Sequence, residues 1–389
     1  MSALSLSNKR VKVEDIDKIK YNISNLKIIG ECSGIRKASL LFIFMKLSGF
    51  VKEPNQRIKF CIMSYIFTIL LIIASTDYWI TSFMYFKVDE ITVSLAFRAS
   101  YILTVLVWYL MIRKRKQITA LLKTYRESQI IIYPSNEITN FLLLILSSIP
   151  FVYSVMLTAV QYKDKNERYF YGCTVKNYWI RILIIGTKNV LYCMVYPSIN
   201  HFVSLVYCLL CISCTSEVNK LTHRISNWSP EVFDLTKQMQ ILRTKAKLHH
   251  LLVDIQDIFS LPIFFAIVSN MLMGSSVIGR SLSKSWSAYE LTWKVKSAFH
   301  AFNAFLNIAA TIWIASGLSI AMSKFKDVYH QKTHMRLLYH DIAEETILKR
   351  DLFDEPEFVL TACDILSFRR STALALFGTL VTYTVLVMD

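Results

Sequence analysis

Small and polar side chains recur along one face of the last apolar segment of the chain. With about 3.6 residues per helical turn, this face consists of Ser371, Ala375, Gly378, Thr382, Val385 and Asp389. A helix that meets only lipid has no use for such a stripe, whereas close helix packing and the lining of a narrow water-filled path both need one. Symmetric copies of Asp389 would form a ring of carboxylates, which favours cations. The stripe therefore predicts a packing face or a pore.

Charged and polar side chains inside the other apolar segments are functional candidates, since such groups are costly to place in lipid. Asp77, Arg98 and Lys188 are charged residues of this kind, and Asp77 is placed to pair with Arg98. The alternatives are a purely structural ion pair and a long side chain that extends to the membrane surface. Asn303 and Asn307, one turn apart, either face a polar cavity or bond to a neighbouring helix.

Two groups of metal-ligand residue types carry only a weak metal signal. Cys208, Cys211 and Cys214 share a helix face without a fourth ligand, so buried or palmitoylated cysteines are the more common explanation. His330 and His334 lack the flanking glutamate of a hydrolase site, which indicates a solvated helix face. The sequence contains no phosphate-binding loop, nucleophile motif or catalytic carboxylate pair. It therefore predicts no enzyme activity, no cofactor and no metal.

The composition is that of an all-α polytopic membrane protein. The chain has 389 residues, of which 54% are hydrophobic and 19% charged, with a mean hydropathy of +0.39. Soluble domains are less apolar and more charged, and continuous apolar runs near twenty residues favour helices over a β-barrel. The formal net charge is +16, but the basic residues lie mainly in alternate loops. This distribution indicates membrane topology rather than nucleic-acid binding.

Seven apolar segments are predicted to cross the membrane. They are approximately residues 60–79, 91–112, 138–160, 179–214, 251–278, 295–322 and 371–388. The fourth segment exceeds one crossing by about fifteen residues, so we expect helices that extend past the bilayer into a compact cytoplasmic domain. A shorter run at 38–50 contains Lys46 and is expected to be interfacial or re-entrant.

The distribution of Lys and Arg predicts the orientation. The N-terminal segment and the three even-numbered loops contain 29 of these residues, and the other three loops contain nine. Because basic residues stay on the cytoplasmic side, the N-terminus is predicted inside and the C-terminus outside. This is opposite to the orientation of a G-protein-coupled receptor.

Two stretches of the sequence match the pattern of one receptor family. Residues 358–371 contain Thr-Ala-Cys at 361–363 followed by a short polar break, and Thr382 and Tyr383 stand near the end of the last span. Residues 254–262, at the start of the fifth span, form the second stretch. With seven spans and an internal N-terminus, the chain resembles the insect gustatory receptors.

The resemblance implies a ligand-gated, non-selective cation channel in the plasma membrane of sensory neurons. Its implied partners are a small-molecule tastant, permeant cations, membrane lipid and the other subunits of a homo- or heterotetramer. The last helix is then divided into a cytoplasmic anchor segment near 357–366 and a pore-lining segment at 371–389. Asp389 stands at the gate position where the family has Gln. Thr384 stands where sugar-sensing members tend to have an acid, which favours a non-sugar, bitter-like tastant.

Ligands of that family bind in the outer half of the bundle formed by the early spans. Aromatic and polar residues at that depth are the candidates, namely Tyr153, Trp179, Lys188, Tyr192, Asn270 and Asn303. The implied domains are a cytoplasmic N-terminal segment (1–57), six spans with the ligand-binding bundle (58–322), a cytoplasmic loop with the anchor segment (323–370) and the pore helix (371–389). The alternatives are an odorant-receptor-like channel subunit and a metabotropic seven-span receptor, which needs an external N-terminus.

Overall fold

Apolar helices account for nearly all of the described structure. The computed structural model describes residues 40–52, 58–84, 91–127, 136–161, 167–283, 290–339 and 358–386, all within one compact unit. The helices are α1 Leu40–Leu47, α2 Ile58–Met84, α3 Ile91–Arg113, α4 Arg115–Glu127, α5 Asn136–Gln161, α6 Tyr178–Val195, α7 Ser198–Asn227, α8 Leu235–Ser283, α9 Leu291–Tyr339 and α10 Arg370–Leu386. A short 3-10 helix spans Glu167–Phe170, and two short strands are β1 Thr361–Ala362 and β2 Leu366–Ser367.

Six helical stretches of the described chain are long and apolar enough to cross a membrane. They lie in α2, α3, α5, the consecutive pair α6 and α7, α8, and α9. The predicted all-α polytopic fold is confirmed. The predicted seventh span coincides with α10, whose 17 described residues give a length of about 26 Å. The seventh span's last residues and Asp389 lie outside the described residues.

The fourth predicted span is two helices rather than one. α6 ends at Val195, and Tyr196 is extended, with φ −123° and ψ 127°. The residue before a proline favours this conformation, and Pro197 has no N–H to continue the helical ladder. α7 starts directly after Pro197. The single long helix expected over 179–214 is therefore interrupted at this point.

Two helices are much longer than a bilayer is thick. α8 and α9 contain 49 residues each, which corresponds to about 74 Å against a hydrocarbon core of about 30 Å. The extension of α9 packs against the loop between α7 and α8, where the rings of Tyr329 and Phe233 meet edge to face at 5.5 Å. The division expected at residue 322 falls inside the continuous helix α9. The position of this extension on the cytoplasmic side stays a prediction.

The segment before α10 is a β hairpin, not the helical anchor segment that the resemblance implied. β1 and β2 are antiparallel, and Thr361 pairs with Ser367. Cys363 and Asp364 in the turn have φ values of 55° and 56°, the left-handed conformations that tight hairpin turns require. The extended backbone is held by α8, since Gln256 Nε2 donates to the Thr361 carbonyl at 2.8 Å. Tertiary hydrogen bonds from α8 thus hold this stretch in an extended conformation.

Replacing Cys363 with glycine should stabilise this hairpin. A side chain at a left-handed position costs about 1–2 kcal/mol, and the backbone N–H bond from residue 363 to Ser260 Oγ (2.7 Å) is retained. We expect Cys363→Gly to raise the midpoint of thermal denaturation of the detergent-purified protein. Ala362→Gly is the matched control, because the same residue type placed in the extended, buried strand should lower the midpoint. Equal shifts in the two variants would contradict this account of the turn.

Candidate functional site

A buried carboxylate ties α2 to α6. Lys188 Nζ lies 3.0 Å from Asp77 Oδ1, and the hydroxyls of Tyr171 and Tyr192 both donate to the same carboxylate. The Lys188 ammonium also lies 4.0 Å from the centre of the Tyr171 ring. The side chains of the ion pair are only 12% and 14% exposed. We call these four residues the Asp77 cluster.

The predicted pairing of Asp77 with Arg98 is not the one the structure forms. Arg98 Nη2 instead donates to the Ser82 carbonyl at 2.8 Å. That carbonyl lies in the last turn of α2, where carbonyl groups lack intrahelical donors. Arg98 therefore bonds to a backbone carbonyl at the C-terminal end of α2, and Lys188 on α6 is the residue that pairs with Asp77.

Aromatic rings fill the space beside the Asp77 cluster. The set comprises Tyr78, Phe97, Tyr101, Tyr153, Tyr196, Phe299 and His300, which we call the aromatic cluster. Tyr78 stacks on Tyr101 with ring centres 4.0 Å apart, and Tyr153 stacks on Phe299 at 3.6 Å. Tyr78 also meets Tyr192 edge to face at 5.5 Å. Residues from α2, α3, α5 and α9, together with Tyr196 between α6 and α7, thus form one continuous aromatic surface.

His300 lies at the centre of the aromatic cluster. Its ring centre is 5.5 Å from that of Phe97, 5.7 Å from that of Tyr196 and 6.1 Å from that of Tyr153. His300 Nδ1 and Tyr153 Oη are buried without a hydrogen-bond partner among the residues that the structure describes. Buried polar atoms are normally paired, so these two mark the cluster as a candidate ligand site.

A layer of polar side chains joins α7 to α9 next to the aromatic cluster. His201 Nε2 and Asn303 Oδ1 lie 2.8 Å apart, while Asn307 Nδ2 lies 3.0 Å from His201 Nδ1. One neutral tautomer, with the proton on Nε2, satisfies both bonds. Ser204 Oγ donates to Asn307 Oδ1 at 2.8 Å. Of the two alternatives left open by the sequence, the two asparagines therefore bond to a neighbouring helix.

The structure separates the six predicted ligand residues into three groups. The first group lies in the two clusters: Tyr153 is in the aromatic cluster, and Lys188 and Tyr192 are in the adjacent Asp77 cluster. The second group consists of two asparagines. Asn303 is in the polar layer, and Asn270 accepts a hydrogen bond from the Tyr196 hydroxyl at 3.0 Å. These two amides already have protein partners.

Trp179 forms the third group, since it belongs to neither cluster as defined above. It is 75% exposed and occupies the first turn of α6. There its backbone N–H donates to Oδ1 of the capping Asn177 at 3.0 Å. Sequence reasoning missed Tyr78, Tyr101 and His300. His300 carried a usable signal, since a histidine inside an apolar span is a functional candidate.

The cysteine and histidine groups form no metal site in the structure. Cys208, Cys211 and Cys214 are buried free thiols, and the rings of His330 and His334 lie 6.1 Å apart. Across the part of the chain that the structure describes, no group of three or more ligand-type side chains could hold a metal ion.

α10 packs with one face only. Leu380 and Phe377 contact the body of the chain, Leu380 beside Gly274 and Phe377 at 5.4 Å from the Phe305 ring. The opposite face is exposed along the described part of the stripe, at Ser371, Ala375, Gly378 and Thr382. A Cβ added at Gly378 would meet nothing within 4 Å. The side chains of Tyr383, Val385 and Asp389 lie outside the described residues.

The hairpin joins α8 to the start of α10. Its backbone bonds to Gln256 and Ser260 bring together the two sequence stretches on which the family resemblance rests. Partial burial raises the pKa of the Cys363 thiol, and the neighbouring Asp364 carboxylate adds to the shift. At the start of α10, the Arg370 guanidinium lies 4.4 Å from the centre of the Trp313 ring.

Solved structures of an insect receptor share the overall fold of this chain. The insect olfactory receptor OR5 from Machilis hrabei superposes with a TM-score of 0.69 at 12% identity, covering 96% of this chain and 99% of that chain. This chain has the fold of an insect olfactory receptor. The same receptor in complex with eugenol gives a TM-score of 0.66 at 13% identity, over 90% and 96% of the two chains. No protein-family model and no curated protein matches the sequence.

The Asp77–Lys188 pair should contribute to stability as a unit. We expect Asp77→Asn and Lys188→Met each to cost about 2–4 kcal/mol, because each leaves a buried group without its partner. The double variant should cost less than the sum of the two. Thermal denaturation of the detergent-purified variants measures this coupling.

A pair with one solvent-exposed partner provides the control: Lys220, 39% exposed, and Glu217, 12% exposed, lie 2.6 Å apart on one helix. Glu217→Gln should cost less than about 1 kcal/mol. Strictly additive losses in the Asp77 and Lys188 variants would contradict the assigned pairing.

Proposed function

We propose that this chain is a subunit of a ligand-gated, non-selective cation channel that responds to a small molecule. The observation that carries the proposal is the orientation of α10. Its stripe of small and polar side chains faces away from the body of its own chain, opposite the apolar face that packs on α8 and α9. Such a face in lipid gains nothing, whereas symmetric copies of it can pack and enclose a water-filled path.

The channel is a homo- or heterotetramer in which α10 of each subunit lines the axis. Four copies of the stripe place small side chains around a narrow path, and Asp389 adds a ring of carboxylates that favours cations. The exposed apolar residues Leu374 and Val381 beside the stripe supply contacts between subunits.

The aromatic cluster receives the small-molecule ligand. The complex of the similarly folded OR5 with eugenol supports a ligand site within this architecture. Phe299 and His300 of the cluster lie on α9, about 9 Å along the helix from Phe305, and Phe305 contacts Phe377 of α10. A displacement of α9 by ligand is thereby transmitted to the pore helix. α8 provides a second route, through the hairpin.

The ligand we propose is a non-sugar, bitter-like tastant, and the cell is a sensory neuron with the channel in its plasma membrane. Thr384, in place of an acid after Thr-Tyr, supports this choice. The alternative is an odorant-receptor-like subunit, which the fold of OR5 favours. A panel that contains both volatile odorants and non-volatile bitter compounds separates the two.

The decisive experiment is to express this chain alone and to record inward current while a ligand panel is applied. Ligand-evoked single-channel events support the proposal, and saturable flux without such events would indicate a transporter. A tag at residue 1 tests the remaining alternative, since labelling on intact cells would indicate the external N-terminus of a metabotropic receptor.

Enlarging Gly378 should impair assembly and current without unfolding the subunit. Because its surroundings within the chain are open, Gly378→Ala and Gly378→Leu should leave the thermal stability of the subunit unchanged or slightly higher. Both should reduce ligand-evoked current and the tetramer fraction in native gels, and leucine should do so more strongly.

Gly317→Ala is the control, since a Cβ there also meets nothing within 4 Å but lies on α9, away from the stripe. Normal current and assembly in Gly378→Leu would contradict the placement of the stripe at the axis.

A further inference from the structure

Two buried polar atoms in the aromatic cluster constrain the chemistry of its ligand. Tyr153 is 5% exposed and His300 is 2% exposed, and Tyr153 Oη and His300 Nδ1 find no hydrogen-bond partner among the described residues. Their ring centres lie 6.1 Å apart at an angle of 67°. The two side chains are therefore neighbours within the cluster.

A single hydroxyl group on a ligand can satisfy both atoms. A hydroxyl accepts and donates at once, and it spans about 5.5 Å between two partners, a distance compatible with these two rings. Such a hydroxyl can form a hydrogen bond with either neutral tautomer of His300. If Nδ1 carries no proton, the tyrosine donates to the ligand and the ligand donates to Nδ1; if Nδ1 is protonated, the direction reverses.

The charges around the cluster disfavour a cationic ligand. The Asp77 carboxylate is already paired with Lys188 and accepts two tyrosine hydroxyls. Two further cations border the cluster, with Lys296 Nζ at 5.1 Å from the centre of the Phe97 ring and Arg98 at the end of α2. A ligand ammonium would find its counter-ion occupied and like charges nearby.

We propose that the aromatic cluster binds an uncharged aromatic alcohol or phenol, whose hydroxyl bridges Tyr153 and His300. The aromatic ring of the ligand stacks against the cluster, and the hydroxyl completes the two missing hydrogen bonds. This inference rests on the proposed function, of which it names the ligand class. It predicts that protonated amines and hydrocarbons without a polar group are not the natural ligands.

A series of matched probes tests the ligand class. Benzyl alcohol, benzyl methyl ether, toluene and benzylammonium share one ring and differ only in the polar group. Binding is measured by the thermal shift of the purified full-length protein, and gating by inward current in cells that express only this chain. We expect benzyl alcohol to bind roughly tenfold more tightly than toluene, the ether to fall between them, and benzylammonium to bind most weakly.

Two variants test the assigned residues. Tyr153→Phe and His300→Phe each remove one hydrogen-bonding atom and keep a ring, so the preference for alcohol over toluene should shrink by several-fold while toluene binding is retained. Tyr207→Phe is the matched control. It removes a buried tyrosine hydroxyl outside the aromatic cluster, from a ring that packs against Phe259 and Phe368, so the preference should persist.

The outcomes separate the two proposals. The inference would be overturned if benzyl alcohol and toluene bound equally, if benzylammonium bound more tightly, or if no probe bound. If a ligand panel still evoked current in that case, the proposed channel function would stand. A preference that Tyr153→Phe and His300→Phe leave unchanged would overturn the assigned residues. Binding of benzyl alcohol without current from any ligand would instead overturn the proposed channel and support the site.

Discussion

Polar groups between apolar helices must find their partners inside the protein, and this constraint organises the whole bundle. In lipid no water is at hand, so each unpaired group is costly. Asp77 meets this requirement with an ammonium and two hydroxyls, and His201 does so with two amides. The helices that carry these groups are thereby fixed in register. Tyr153 Oη and His300 Nδ1 are among the buried polar atoms that find no such partner in the described part of the chain.

The same constraint explains why α10 is attached differently from the other helices. Its packed face is apolar, through Phe377 and Leu380, and its polar connection to the body runs through the hairpin before it. The small outer face of α10 stays exposed within the described part of the chain.

The sequence predicted those features that depend on local pattern. Continuous apolar runs located the spans, and the stripe on α10 proved to lie opposite the packed face, because a helix that buries Leu380 must present Gly378 and Thr382 outward. The prediction of one helix over 179–214 missed the break at Pro197, although a proline favours such a break. The partner of Asp77 was not predictable, since Arg98 and Lys188 are both cations in neighbouring spans and only the tertiary arrangement chooses between them.

The hairpin could not be predicted from the local sequence pattern, for a related reason. Residues 361–367 are extended because Gln256 and Ser260, about a hundred residues earlier, bond to their backbone, and left-handed conformations at Cys363 and Asp364 carry no glycine signal. Yet the two sequence stretches that resemble a receptor family are the two sides of this contact. Their joint occurrence is therefore a property of one interface, in which α8 holds the segment that orients α10.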